Sequence, residues 1–206
     1  NQPAAALQLV AKEILHLSDQ VKKVLHDTVT VVKENQMQGV DKIQEESAKV
    51  TKLTDKITDY LAGLFSSGLL TEQQASQTAG LMYVLGDVER IGNLSAGIAL
   101  SMKEKETNQY KYSQEAMDEL AKCLKTLEKM FDSATKALRG DTTVELEKLM
   151  KRKDKIVNLD IMMRKSHIQR VNKGKCKASL TTPFTNILHL IDRMGNSCIN
   201  LADAAT

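Results

Sequence analysis

Glu89-Arg90-Ile91-Gly92-Asn93 returns 103 residues later as Asp192-Arg193-Met194-Gly195-Asn196. An acid, an arginine, an aliphatic residue, a glycine and an asparagine recur in one order. The likeness extends toward the N-terminus at the same offset, where Leu81, Val84, Leu85 and Val88 map onto Phe184, Ile187, Leu188 and Ile191. Apolar residues spaced by three and four lie on one face of a helix. Each copy of the motif therefore sits on an amphipathic helix, and self-similarity at half the chain length predicts two like structural units.

The first helix carries a coiled-coil seam at Leu7, Val10, Ile14, Leu17, Val21, Val24, Thr28 and Val31. Adding 103 gives Tyr110, Ser113, Met117, Leu120, Leu124, Leu127, Phe131 and Ala134, the same register with a polar gap at Ser113. Between them, Val50, Leu53 and Ile57 match Ile156, Leu159 and Met163 at an offset of 106, a three-residue insertion of the kind loops absorb. Thr71-x-x-Gln74 and Thr142-x-x-Glu145 read as capping boxes. Thr182-Pro183 reads as an N-cap before a proline at the first helical position, and Gly68 and Gly174 as stops for the second helix of each half. The pattern predicts six helices at 4–34, 38–66, 71–103, 110–138, 143–172 and 182–204, joined across a polar stretch from Lys103 to Gln109. The fold class is all-α: two repeated three-helix bundles of long antiparallel helices, the first over 1–104 and the second over 105–206.

Composition agrees. Two prolines, ten glycines and 3% aromatics among 206 residues favour long helices over sheets. Cys123, Cys176 and Cys198 are odd in number and widely spaced, which excludes a C-x-x-C site and argues for small core residues in a reducing compartment. No apolar run approaches the ~20 residues needed to span a bilayer. The chain begins with Asn1 and has no signal peptide, so the expectation is a piece of a longer product with a segment upstream. The net charge of +3 is small but uneven: Glu145–Lys177 holds eleven Lys/Arg against four Asp/Glu. That is either a solvated helix face or a patch facing phosphate, nucleic acid or, over Lys148–Lys177, an anionic membrane surface. Few aromatics argue against nucleic acid.

Catalysis has no visible home. There is no glycine-rich phosphate loop, no G-x-S-x-G elbow and no H-E-x-x-H. The chain reads as a non-enzyme. Of the four histidines, His189 is placed to join Asp192 and Arg193 in a polar cluster, while His167 is expected to face solvent or an interface. Glu89 and Asp192 are expected to hydrogen-bond across the bundle or to pair with Arg90 and Arg193, and Gly92 and Gly195 to let helices approach closely.

The repeated E/D-R-I/M-G-N segment resembles the signature of the PhoU family. Arg164-Lys165-Ser166-His167-Ile168-Gln169-Arg170, followed by Gly174-Lys175-Cys176, is similar to a stretch of the PhoU-like tail of sodium/phosphate cotransporters, as is the opening Pro3-Ala4-Ala5-Ala6-Leu7 with Ala11-Lys12-Glu13-Ile14. The resemblance implies two three-helix bundles and a regulatory, interaction-type cytoplasmic domain of a sodium-dependent phosphate cotransporter, acting in phosphate transport or phosphate signalling. The alternatives are a stand-alone phosphate-uptake regulator or a metal-cluster-binding bundle. The implied partners are the transmembrane portion of the same transporter or another membrane transport protein, with room for a homodimer. The implied location is the cytoplasmic side of the cell membrane.

The family also implies metal clusters on E/D-x-x-x-D motifs, where carboxylates one turn apart converge on a hard cation. In this chain the first positions of those motifs are Ser47, Glu89, Lys153 and Asp192, and the second are Thr51, Asn93, Val157 and Asn196. Only two carboxylates remain. No cofactor is expected. At most a weakly held divalent or iron-type metal would sit at Glu89 and Asn93 or at Asp192 and Asn196, the latter extended by Asn200 and Asp203.

Overall fold

The structure, a computed structural model, describes residues 2–107 and 111–205. Six α-helices follow in order: α1 (Gln2–Glu34), α2 (Val40–Ser66), α3 (Glu72–Thr107), α4 (Gln114–Leu138), α5 (Leu146–Asn172) and α6 (Thr181–Ala204). Single 3-10 turns, Met37–Gly39 and Ala178–Leu180, lead into α2 and α6. No strand occurs among the described residues, and no helix is long and apolar enough to cross a membrane.

The seams predicted from periodicity are buried. All eight α1 positions lie inside, as do Met117 through Ala134 on α4. Tyr110 lies outside the described residues. The polar gap at Ser113 has a reason: it is the N-cap of α4, its hydroxyl accepting from Ala116 N–H at 3.1 Å. Thr28, the polar member of the α1 seam, donates to the Val24 carbonyl at 2.9 Å and lies 3.3 Å from that of Ser95 on α3, so its burial leaves no orphan.

Helix ends hold in part. Thr71 and Gln74 form a reciprocal capping box, with Gln74 N–H donating to Thr71 Oγ1 at 3.1 Å and Thr71 N–H to Gln74 Oε1 at 3.0 Å. Gly68 and Gly174 follow the ends of α2 and α5 with φ of 72° and 73°, a region that favours glycine. The Thr142 box does not form. Asp141 takes the N–H and hydroxyl of Thr143 instead, at 2.9 and 2.6 Å, and α5 starts at Leu146. Nor is Thr182 an N-cap. The 3-10 turn carries the chain into α6 early, so Pro183 is the third residue of the helix, where its missing N–H still costs nothing. The predicted join from Lys103 is helical as far as Thr107; Asn108 and Gln109 lie outside the described residues.

α1 and α3 form the inner side of the first bundle and α4 and α6 that of the second. α1 packs on α4 and α3 on α6, leaving α2 and α5 as the outer helices. One apolar cluster runs through all six helices, from Leu7 and Leu61 to Leu149 and Leu201. Ion pairs line the α1–α4 seam: Lys22 with Asp132, His26 with Glu128 at 2.6 Å and Arg139 with Asp19 at 2.6 Å. Exposed pairs of this kind add about 0–1 kcal/mol each and chiefly fix alignment.

Candidate functional sites

The repeated motif places equivalent faces between α2 and α3 and between α5 and α6. On the first face, Ser47 and Thr51, one turn apart on α2, both donate to Asn93 Oδ1 on α3, at 2.9 and 3.2 Å. Both lone pairs of that carbonyl are thereby engaged. Glu89 lies one turn earlier on α3 and is half-buried. Burial pushes its carboxyl above the ordinary carboxylate range; the Thr54 hydroxyl opposes this, Asp55 reinforces it, and Arg90 opposes it again.

On the second face, Lys153 of α5 makes a direct ion pair with Asp192 of α6. The Lys153 side chain is 14% exposed, so its stem lies against protein and only its head reaches the rim. Gly195, one turn beyond Asp192, makes room for that stem: a Cβ there would come within 2.9 Å of Lys153 Cδ and 3.1 Å of Cε. Gly92 serves the inner packing, since its Cβ would meet Val21 Cγ2 on α1 at 3.2 Å. Asn196 is exposed, as are Asn200 and Asp203.

These faces do not fit a metal cluster. A cation would have to displace the Lys153 ammonium from Asp192, and on the other face Asn93 offers an oxygen already taken by two hydroxyls. Among the described residues no group of three or more His, Cys, Asp or Glu converges. Glu89, Asn93, Asp192 and Asn196 are thus at the positions expected of them, in surroundings that serve other contacts.

Neither motif acid takes its neighbouring arginine as ion-pair partner, and Asp192 takes the other expected course, a contact across the bundle. Arg90 pairs with Asp87 at 2.6 Å, not with Glu89, and its Nη1 also lies 3.3 Å from Ser197 Oγ on α6. It thereby ties one bundle to the other. Asp192 pairs with Lys153 rather than with Arg193, which is exposed, as is His189.

A second constellation sits at the far end of the second bundle. His167 is buried, in contrast to the exposed or interface position expected from its basic surroundings. Its ring stacks on Phe184 with centroids 5.0 Å apart, Nε2 meets Thr181 Oγ1 at 2.9 Å, and Nδ1 lies 3.8 Å from Cys176 Sγ. Tyr112 closes the other side, 5.8 Å from Phe184. Burial lowers the His167 pKa, and the Arg170 charge lowers it further. Arg170 is itself buried, with Glu115 and Glu119 each 3.7 Å from Nη1. Burial raises the Glu119 carboxyl, which Arg170 partly offsets. The Arg170 carbonyl accepts from the N–H groups of Lys175 and Cys176 at 2.8 and 3.3 Å, closing the turn after Gly174. The R-x-x-H-I-x-R-x-x-x-G-x-C stretch is therefore a device that ends α5 and docks it on the start of α6. Its histidine and cysteine spacing was visible in the sequence; the partners Glu119 and Phe184, from other helices, and Tyr112, from the segment leading into α4, were not.

Two of the three thiols are shut away from nucleophilic chemistry. Cys123 and Cys198 are buried, and burial pushes the Cys123 thiol up to about 12 and the Cys198 thiol higher still.

Comparison with known proteins agrees with this geometry. Residues 14–102 and 120–205 each match the PhoU domain. The crystal structure of PhoU from Pseudomonas aeruginosa is similar with a TM-score of 0.86 at 14% identity, covering 98% of this chain and 96% of that one. The crystal structure of the phosphate transport system regulatory protein PhoU from Streptococcus pneumoniae is similar with a TM-score of 0.78 at 16% identity, covering 98% and 94%. No curated protein matches the sequence.

Proposed function

The chain belongs to the PhoU family, and on that premise we propose that it is a non-catalytic regulator of phosphate transport or phosphate signalling, acting by contact with a membrane transport protein from the cytoplasmic side. The supporting observation is that both halves carry the domain, in a chain matching nearly the whole length of a protein titled a phosphate transport system regulatory protein. The test is deletion of the gene segment encoding this chain, followed by uptake of radiolabelled phosphate at high and low external phosphate. Uptake that no longer responds to supply supports the reading; an unchanged response overturns it.

A second reading, the cytoplasmic domain of a sodium/phosphate cotransporter, draws support from the Arg164–Cys176 stretch, whose His167, Arg170 and Cys176 fold into one cluster. Loss of specifically sodium-dependent uptake on deletion distinguishes it from a stand-alone regulator.

We propose further that regulation here runs without a metal cluster, because Lys153 supplies from within the chain the positive charge that Asp192 needs. Elemental analysis of the dialysed protein tests this; stoichiometric metal would overturn it.

A further inference from the structure

The two outer helices occupy equivalent places in the repeat, and they present different faces to solvent. On α5, Met150, Val157, Ile161 and Ile168 are 47%, 39%, 61% and 56% exposed. Positions spaced by 7, 4 and 7 fall within about 40° of one another at 100° per residue and span about 27 Å of helix. They form one straight apolar row on the outside of the molecule.

The bundle does not require that row. At the offset of 106 that relates the two middle helices, the α2 counterparts are Gln44, Thr51, Asp55 and Ala62. The same three-helix packing is thus built in the first half with three polar residues and an alanine in the same places. Charge differs in the same sense. α5 carries eight Lys/Arg against three Asp/Glu, whereas α2 carries four against five. Lys165, Lys151, Lys155 and Lys148 are exposed on one side of the row, at about 60°, 100°, 140° and 160° round the helix, with the exposed acids Asp154 and Glu147 between.

We propose that α5 seats this protein on an anionic bilayer surface, with the Met150–Ile168 row dipping into the headgroup–acyl boundary and the lysines reaching lipid phosphates. An apolar stripe beside a lysine-rich side, on a helix whose net charge is basic, is the chemistry such a surface selects. A second copy of the chain is a poorer occupant: an isologous contact through this row would press two strongly basic helices together.

Cosedimentation of the whole chain with vesicles tests this. Binding is expected to phosphatidylcholine vesicles containing phosphatidylglycerol and not to phosphatidylcholine alone, weakening as salt rises. Replacing the row with residues like those of α2, glutamine standing in for Asp55 so that charge is unchanged (M150Q, V157T, I161Q, I168A), should leave the melting temperature in place and weaken binding at least about tenfold. A second variant that keeps the row but removes charge (K148Q, K151Q, K155Q, K165Q) should weaken binding to the anionic vesicles similarly. No binding at low salt, or full binding by both variants, overturns the proposal. Self-association in sedimentation equilibrium that the α2-like variant abolishes, without vesicle binding, also overturns it and assigns the row to a second copy.

Discussion

Gly92 and Gly195 stand at equivalent places in the repeat and are needed for different reasons. A Cβ at 92 would press on Val21, fully buried and stiff at χ1, at 3.2 Å. Gly92→Ala should therefore destabilise by about 1 kcal/mol even after the gain in helix propensity, read from denaturant unfolding. A Cβ at 195 presses on the Lys153 stem and meets Leu127 Cδ2 at an ordinary 3.8 Å. Gly195→Ala should cost about 1 kcal/mol in the native background and become neutral or stabilising, by up to about 1 kcal/mol, when combined with Lys153→Ala. Additive effects in that double-mutant cycle would dissociate the glycine from the lysine. His167 gives a pH signature. Its folded pKa lies below the ordinary 6.5, so the unfolded chain takes up the proton first. The stability this gives is complete above 6.5 and is lost as pH falls toward the folded value. The raised carboxyls of Glu89 and Glu119 act in the opposite sense: as pH falls the folded chain protonates them first, adding stability from their raised folded values down to the ordinary 4.5. The difference between wild type and His167→Gln isolates the imidazole: melting temperatures from pH 7 to 5 should fall more steeply for wild type.

At the level of elements, caps separate sequence signals that fold from those that do not. Thr71-x-x-Gln74 and Thr142-x-x-Glu145 look alike in the sequence, yet only the first closes its two hydrogen bonds. Thr71→Ala should cost about 1 kcal/mol, whereas Thr142→Ala should stay within about 0.5 kcal/mol, compared by urea midpoints at unchanged slope. The second box fails because Asp141, one residue earlier, captures Thr143 in a tighter local turn. Competition between neighbouring polar side chains decides the start of α5, and periodicity carries no record of it.

For the whole molecule, two consequences follow from the shared core and the Lys153–Asp192 pair. Because α1 packs on α4 and α3 on α6, a fragment ending at Thr107 would expose the apolar faces of α1 and α3. It should lack a cooperative melt or self-associate, and sedimentation with calorimetry would show which. Chelator should leave the melting temperature of the whole chain unchanged, since the ammonium of Lys153 already balances Asp192; a drop of several degrees would reveal a structural metal. By itself the sequence determined the helices, their buried stripes and their duplication, because helical periodicity and the recurring glycine–asparagine segment are local or repeat-related signals. Tertiary structure alone decided which bundle faces meet, that Arg90 reaches Ser197 on α6, and that Arg170 and His167 go inside. Those outcomes depend on which charges from distant helices arrive beside them, and a buried cation and an exposed one are the same letter in a sequence.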